Sequence, residues 1–160
     1  MTSTMTSTTA TVLIDESTTL EFGAKLAAAM PAFAGGALKV ALRGDLGAGK
    51  TTLTRGLLRG LGVRGSVRSP TFSLLESYEL DRLTVVHVDL YRLRDAAEVR
   101  GLGLADYDRP GCLWMVEWPE RAERALGLFD LEISLRVVGT AREINIAALT
   151  EAGRHWLQAL

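Results

Sequence analysis

Residues 44–51 of this chain read GDLGAGKT and match the phosphate-binding loop pattern G-x-x-x-x-G-K-[ST]. The glycines let the backbone curl so that several N–H groups point at one anion. Lys50 adds a positive charge that reaches the β and γ phosphates, and the hydroxyl of Thr51 is a ligand for Mg²⁺. A helix that begins here also directs the positive end of its dipole at the phosphates. The stretch therefore predicts a nucleoside triphosphate site.

The segments on either side of the loop supply the context that this motif requires. Residues 38–42 form an apolar run that is typical of a buried strand, interrupted only by Lys39. After the loop, leucines at positions 53, 57, 58 and 61 predict an amphipathic helix over residues 51–61, with Gly62 at its C-terminal cap. A glycine-rich turn before a helix is the plainer interpretation, but the order strand, loop, helix favours the phosphate loop.

Length and composition limit the classes to which the chain can belong. Its 160 residues predict one domain, over residues 11–160, after a Thr- and Ser-rich tail at residues 1–10 that we expect to be disordered. The formal net charge of −1 does not favour direct binding to nucleic acid. Cys112 is the single cysteine, which excludes an intrachain disulfide. No apolar run reaches transmembrane length, so we expect no membrane association and a reducing, cytoplasmic location.

Hydrophobic periodicity outlines the remaining elements and the fold class. The patterns predict a strand at residues 12–14, a helix with a Thr18–Glu21 capping box and a short helix after Asp95. Other predicted elements are a hairpin at 72–80 and 83–90, a strand at 113–116, a short helix at 119–125, a hairpin at 131–138 and 142–148, and a helix at 151–160. The expected fold is α/β, a P-loop NTPase whose mixed, mostly parallel central sheet is flanked by helices and carries antiparallel hairpins.

Two apolar strands end in a carboxylate. Residues 85–89 read VVHVD and end at Asp89, and residues 113–117 read LWMVE and end at Glu117. Ligands of open α/β sheets bind beyond the carboxyl ends of parallel strands, where such acids hold Mg²⁺ or orient water. Either acid taken alone could equally be a solvent-exposed residue at the end of a strand, with no catalytic role. Two of them in a chain with a phosphate loop favour a catalytic role.

Several other residues have a plain and a functional interpretation. Thr52 is a donor to the α-phosphate or a simple first-turn threonine. Residues 69–71, Ser-Pro-Thr, suit a loop that senses the γ-phosphate, but a turn is the commoner role for that composition. His87, between valines, is interpreted as a core histidine rather than a catalytic base. Arg92 stabilises transition-state charge or makes a surface ion pair, and Trp118 is interpreted as a packing residue.

The sequence resembles one family, the small bacterial P-loop ATPase TsaE, formerly YjeE. The matching blocks, in the same order and spacing, are residues 44–52 (GDLGAGKTT), 69–72 (SPTF), 87–93 (HVDLYRL) and 117–120 (EWPE). The phosphate loop alone is unspecific, whereas its combination with the blocks at residues 87–93 and 117–120 is highly specific. The resemblance covers about residues 15–142, and the Thr- and Ser-rich amino terminus is a modest departure from it.

The resemblance implies roles for the site residues. Thr51 and Glu117 would ligate Mg²⁺, and Asp89 would position the attacking water, so that Lys50, Asp89 and Glu117 are the predicted catalytic residues. Arg142 falls where the family contacts the nucleotide near adenine, and residues 16–19 approach the base from the other side. The residues implied to bind ATP or ADP are Gly47, Ala48, Gly49, Lys50, Thr51, Thr52 and Arg142.

The resemblance also implies a pathway and partners. The family's ATPase acts in tRNA threonylcarbamoyladenosine biosynthesis with TsaB and TsaD, and it hydrolyses ATP weakly alone and faster with them. TsaD carries out the threonylcarbamoyl transfer, beside the anticodon of tRNAs that read codons starting with A, and the ATP cycle resets the TsaB–TsaD complex. Contact with tRNA is expected through the complex. From the residues alone, a small-molecule kinase and a nucleotide-dependent binding module with little hydrolysis remain open.

Overall fold

The structure, a computed structural model, describes residues 6–70 and 72–160. One seven-stranded sheet runs through the described part of the chain in the order β1-β7-β6-β2-β5-β4-β3. The strands are β1 (Ser7–Leu13), β2 (Leu38–Arg43), β3 (Leu75–Glu79), β4 (Thr84–Asp89), β5 (Cys112–Glu117), β6 (Leu131–Val138) and β7 (Ala141–Ala148). The helices are α1 (Glu16–Ala28), α2 (Lys50–Gly60), α3 (Glu123–Leu126) and α4 (Glu151–Ala159), with 3₁₀ turns at Ala96–Leu102, Leu104–Tyr107 and Pro119–Arg121.

The sheet is parallel at its centre and antiparallel at both edges. Strands β6, β2, β5 and β4 are joined by three parallel pairings, and the hairpins β3–β4 and β6–β7 and the pairing of β1 with β7 are antiparallel. The predicted α/β fold with a mixed sheet and antiparallel hairpins is therefore confirmed. No helix among the described residues is long and apolar enough to cross a bilayer.

The amino-terminal strand is longer than the sequence predicted. β1 begins at Ser7, so residues 7–10 are part of the sheet and not of a disordered tail. The rest of the tail that we expected, residues 1–5, lies outside the described residues. The strand is mostly exposed and is held by backbone pairing with β7, from Ser7 opposite Ala148 to Leu13 opposite Arg142. Its threonines favour extended backbone, but the segment shows no alternation of apolar and polar residues, so hydrophobic periodicity did not predict a strand there.

Helix boundaries follow from capping groups. Asp15 is the N-cap of α1 and accepts a hydrogen bond of 2.8 Å from the backbone N–H of Thr18, whose hydroxyl accepts one from the Asp15 N–H. The predicted box at Thr18–Glu21 was wrong by one turn. At the end of α2, Gly62 adopts a φ of 96° and its N–H and that of Val63 bond back to the helix, as the predicted cap requires.

Successive side chains of β4 point to opposite faces of the sheet, where two separate cores lie, and this alternation determines which face carries Asp89. Val85 lies in the larger core, which includes the buried residues of α1, α2 and α4, whereas Val86 and Val88 lie in the core on the other face. His87 and Asp89 share the face of Val85, because side chains two residues apart point the same way. Polar residues of β4 therefore face the side of the sheet on which α2 packs.

Candidate functional site

The phosphate loop joins the carboxyl end of β2 to the amino end of α2. Gly49 is the N-cap of α2, with a φ of 107°, and no side chain in the described part of the chain caps the helix there. The N–H groups of a helix's first turn have no partner within the helix. This end of α2 therefore presents unpaired donors and a positive dipole to a bound anion.

Lys50 is almost fully buried beneath the loop. Its Nζ donates hydrogen bonds to the backbone carbonyls of Gly44 and of Asp45, the latter at 3.0 Å, and lies 4.4 Å from the centre of the Trp118 ring. Burial lowers the pKa of Lys50, and the nearby charges of Glu117 and Asp89 oppose that shift. The ammonium group is thus held by neutral carbonyls that a phosphate oxygen can replace.

The two strand-end carboxylates lie side by side. Asp89 of β4 is in register with Glu117 of β5, and both are buried at the carboxyl edge of the parallel strands. The hydroxyl of Thr51 lies 3.1 and 3.0 Å from the two carboxylate oxygens of Glu117. The pairing of β4 with β5 places the two acids side by side, and the pairing of β5 with β2 brings them to the loop that precedes α2.

Asp89 is held by two donors. Ser69 donates its hydroxyl to Oδ2 at 2.5 Å, and the backbone N–H of Tyr91 donates to Oδ1 at 3.0 Å. The Ser-Pro-Thr segment thus contacts the site through Ser69, while its last residue, at position 71, lies outside the described residues. These two hydrogen bonds fix the direction of a carboxylate that borders the cleft.

His87 contacts Glu117, a contact that the sequence analysis missed. Its Nε2 lies 2.6 Å from Oε2 of Glu117, and its ring is fully buried. No local sequence pattern indicates this pair, because residues 87 and 117 are brought together only by the register of β4 and β5. His87 is a core residue, as interpreted, but its partner is a residue of the candidate site.

Trp118 has a strained backbone beside the acids. Its φ is 57°, a left-handed conformation that is uncommon for residues other than glycine. The ring packs 5.0 Å from that of Tyr91 and beneath the ammonium of Lys50. Strain of this kind persists where the surrounding structure imposes it, often at functional sites. Trp118 therefore borders the cleft as well as packing, which its sequence neighbours did not indicate.

These elements enclose a cleft of about 480 Å³, and a second cavity of about 200 Å³ adjoins it. Arg142 of β7 borders the second cavity and donates from Nη2 to the carbonyl of Gly47 at 3.3 Å. The cleft is lined by Leu46, Gly47, Ala48, Gly49, Lys50, Thr51, Thr52, Ser69, Asp89, Tyr91, Arg92, Glu117 and Trp118. The cavity is lined by Asp15, Glu16, Thr19, Gly47, Gly49, Thr52, Thr140 and Arg142.

Every residue predicted to bind nucleotide lines one of these two spaces, which share Gly47, Gly49 and Thr52. The cleft holds Lys50, Asp89 and Glu117, and the cavity lies beside α1 and β7 and is bordered by Arg142. A nucleotide with its phosphates over the loop and its base toward Arg142 matches this division.

The donor set suits a magnesium ion bound together with phosphates. Thr51 and Glu117 offer hard oxygen atoms, and Mg²⁺ commonly takes one or two such protein ligands and completes its shell with phosphate and water. The described residues contain no group of three or more His, Cys, Asp or Glu side chains placed to hold a metal alone. Thr51 and Glu117 are therefore the residues that would hold the ion.

Comparison with known proteins gives a consistent assignment. The family model described as threonylcarbamoyl adenosine biosynthesis protein TsaE matches residues 13–144. The tRNA threonylcarbamoyladenosine biosynthesis protein TsaE of Haemophilus influenzae is 39% identical over 146 residues, covering 91% of this chain and 92% of that protein. The protein of the same name from Streptomyces coelicolor is 43% identical over 125 residues, covering 75% of this chain and 84% of its own.

A solved structure agrees over nearly the whole chain. The crystal structure of YdiB from Bacillus subtilis superposes with a TM-score of 0.77 at 32% identity, covering 98% of this chain and 95% of that one. The match to the family model spans the phosphate loop and both strand ends described above, and the chain belongs to the TsaE family.

Proposed function

We propose that this protein is the ATP-binding and ATP-hydrolysing subunit required for threonylcarbamoyladenosine modification of tRNA. It acts with TsaB and TsaD and resets their complex between turnovers, and TsaD rather than this chain transfers the threonylcarbamoyl group. Membership of the TsaE family supports the pathway. The observation that carries the ATPase assignment is the convergence of Lys50, Thr51, Asp89 and Glu117 on one cleft.

Binding depends on the loop and Lys50. The free N–H groups at the amino end of α2 hold the phosphate oxygens, and Lys50 exchanges its contacts with the carbonyls of Gly44 and Asp45 for contacts with the β and γ phosphates. Arg142 and the start of α1 hold the base in the smaller cavity. These contacts place the γ-phosphate beside the two carboxylates.

Hydrolysis depends on the two strand ends. Mg²⁺, held by Thr51 and Glu117, supplies positive charge to the phosphate oxygens when it is bound. Asp89, oriented by Ser69 and by the Tyr91 N–H, positions the attacking water and accepts its proton. Exposed side chains of Leu46 and Tyr91 border the cleft, so partners that cover it would exclude bulk solvent and accelerate a turnover that is slow for the protein alone.

Phosphate release from ATP, measured with and without the purified TsaB–TsaD pair, tests the proposal. We expect slow release by this protein alone and a marked increase with the pair. A rate that the pair does not change would contradict the proposed role. Transfer of the γ-phosphate to a small acceptor in preference to water would instead support a kinase. Because the pathway acts on tRNA through the complex, we also propose a cytoplasmic location.

A further inference from the structure

His87 is polar and fully buried in a strand whose neighbours are apolar. It lies between Val86 and Val88 in β4, opposite Met115 of β5. Its Nε2 has one partner, Oε2 of Glu117, at 2.6 Å, and its buried Nδ1 has no hydrogen-bond partner among the described residues. An incompletely paired buried polar group weakens folding. The residue is therefore not explained by stability alone.

The contact holds one specific oxygen of Glu117. Because carboxylate oxygens only accept hydrogen bonds, the short contact places a hydrogen on Nε2. His87 thus contacts Oε2 alone, whereas the Thr51 hydroxyl lies within hydrogen-bond distance of both Oε1 and Oε2. The Glu117 carboxylate is therefore contacted by His87 at one oxygen and by Thr51 at both.

The anchor matters because glutamate is flexible. A glutamate side chain has three rotatable bonds, and the Thr51 hydroxyl has a single hydrogen that it can donate to only one oxygen at a time. Without a second donor, the Glu117 carboxylate would be free to turn when Thr51 takes up a ligand. Partners that orient a metal ligand in this way commonly change metal affinity when they are replaced.

We propose that His87 is a positioning residue that holds the Glu117 carboxylate in the orientation needed to share Mg²⁺ with Thr51. The inference rests on the nucleotide site proposed above and adds to it His87, a buried residue on the face of the sheet that packs against α2. Its consequence is specific: replacing His87 should alter the magnesium requirement of nucleotide binding and leave metal-free nucleotide binding unchanged.

Two amide variants separate the anchoring hydrogen bond from the polarity of the position. The side-chain amide of His87→Gln reaches the place of Nε2 and can donate to Glu117, whereas the shorter His87→Asn side chain ends near Nδ1 and cannot. Both bury one amide, so their costs to folding are similar. Val85→Ala, on the same strand and face but in the apolar core, controls for destabilisation of β4.

The measurement is the binding of a fluorescent ADP analogue across a Mg²⁺ titration and in EDTA, with thermal unfolding of each variant. We expect His87→Asn to raise the Mg²⁺ concentration at half-maximal effect about 10- to 100-fold, with unchanged affinity in EDTA. His87→Gln and Val85→Ala should match the wild-type protein. Equal magnesium requirements in the Asn and Gln variants would overturn the inference. A wild-type protein that binds no nucleotide would overturn the proposed function itself.

A second measurement needs no substitution, so it stands even if a variant does not fold. The chain has two histidines, and the other, His155, is exposed on α4. Nitrogen-15 NMR of the imidazole groups should show a protected Nε2–H for His87 that shifts when Mg²⁺ is added to the ADP-bound protein. A hydrogen on Nδ1 instead, or a signal indifferent to Mg²⁺, would contradict the assignment.

Discussion

Glycine is required for different physical reasons in the middle of helix α2 and at its amino end. A Cβ at Gly56 would lie 2.3 Å from the carbonyl oxygen of Leu20, and one at Gly23 of α1 would lie 2.4 Å from that of Leu53. At the amino end, a Cβ at Gly49 would meet nothing closer than 3.6 Å, but the φ of 107° is one that other residues avoid. Close approach of α1 and α2 maintains the fold, and the backbone conformation of the loop maintains the site.

The comparison implies that stability and nucleotide binding depend on different parts of one helix. Substitutions in the packed body should reduce stability and binding together. Substitutions at the amino end should reduce binding while the fold persists.

The largest effect on the fold is expected from Gly56→Ala. Because the new methyl group would overlap backbone atoms of α1, the free energy of unfolding should fall by about 3 kcal/mol. Gly101→Ala is the control, since a Cβ there would meet nothing within 4 Å, and it should change stability by less than about 0.5 kcal/mol. Denaturant unfolding measures both. Equal stability of the two variants would show that α1 and α2 have room to move apart.

Lys50→Met should have the largest effect on binding. The loss of charge-assisted hydrogen bonds, about 1.5–3 kcal/mol, should weaken ATP affinity roughly 10- to 100-fold in calorimetric titration. The ligand-free variant should nevertheless be at least as stable as the wild-type protein, because burial of the ammonium lowers the pKa of Lys50. A large loss of stability would instead show that Lys50 maintains the fold, as the residues in the packed middle of α2 do.

The same pKa shift predicts a pH dependence. Because its folded-state pKa is below the ordinary lysine value of 10.5, Lys50 binds its proton less tightly in the folded than in the unfolded chain. Its cost to folding is therefore present in full at neutral pH and declines as pH rises through the folded pKa toward 10.5. Denaturant unfolding from neutral to alkaline pH should show this gain for the wild-type protein and not for Lys50→Met. Parallel profiles would contradict the assignment.

Asp89→Asn should reduce turnover with little change in stability. The amide keeps the shape of the carboxylate but accepts no proton, so phosphate release with TsaB–TsaD should fall about 100-fold or more. Asp81→Asn, an exposed position on the β3–β4 turn, is the control for the change of charge. Thermal unfolding should be close to wild type for both. If Asp89→Asn mainly lowers the melting temperature, Asp89 has a structural role.

The smallest effect is expected at the edge of the site. Arg142→Ala removes a guanidinium from the smaller cavity, and ATP affinity should fall about tenfold. Affinity for inorganic tripolyphosphate, which has no base, should be unchanged if Arg142 contacts adenine. An equal loss for both ligands would indicate that Arg142 acts on the phosphate loop through its hydrogen bond with Gly47.

Local sequence patterns were sufficient for the strand–loop–helix unit and the two hairpins. The leucine spacing of α2, its Gly62 cap and the apolar run of β2 each depend on neighbours within a few residues. β1 was predicted too short because it is held by backbone pairing with a distant strand and not by apolar burial. The capping box of α1 was misplaced because threonine and aspartate at residues 15–18 both suit an N-cap.

The sequence was sufficient to identify the residues of the candidate site but not to predict how they are arranged in space. The sequence identified Asp89 and Glu117 as acids at strand ends, but only the pairing of β4 with β5 shows that they are adjacent. The contact of His87 with Glu117 and the left-handed backbone of Trp118 depend on that same tertiary placement. No local pattern encodes them, since each joins residues that are distant in sequence or arises from strain.

A crystal structure of the protein with Mg²⁺ and a non-hydrolysable ATP analogue tests the central claim most directly. We expect phosphates over the amino end of α2 and Lys50 turned from the loop carbonyls to the β and γ phosphates. The metal should lie about 2.1 Å from the hydroxyl oxygen of Thr51, with Glu117 bound to it either directly at a similar distance or through one water. Asp89 should face the γ-phosphate. A nucleotide bound elsewhere, or a metal held without Thr51 and Glu117, would contradict the account.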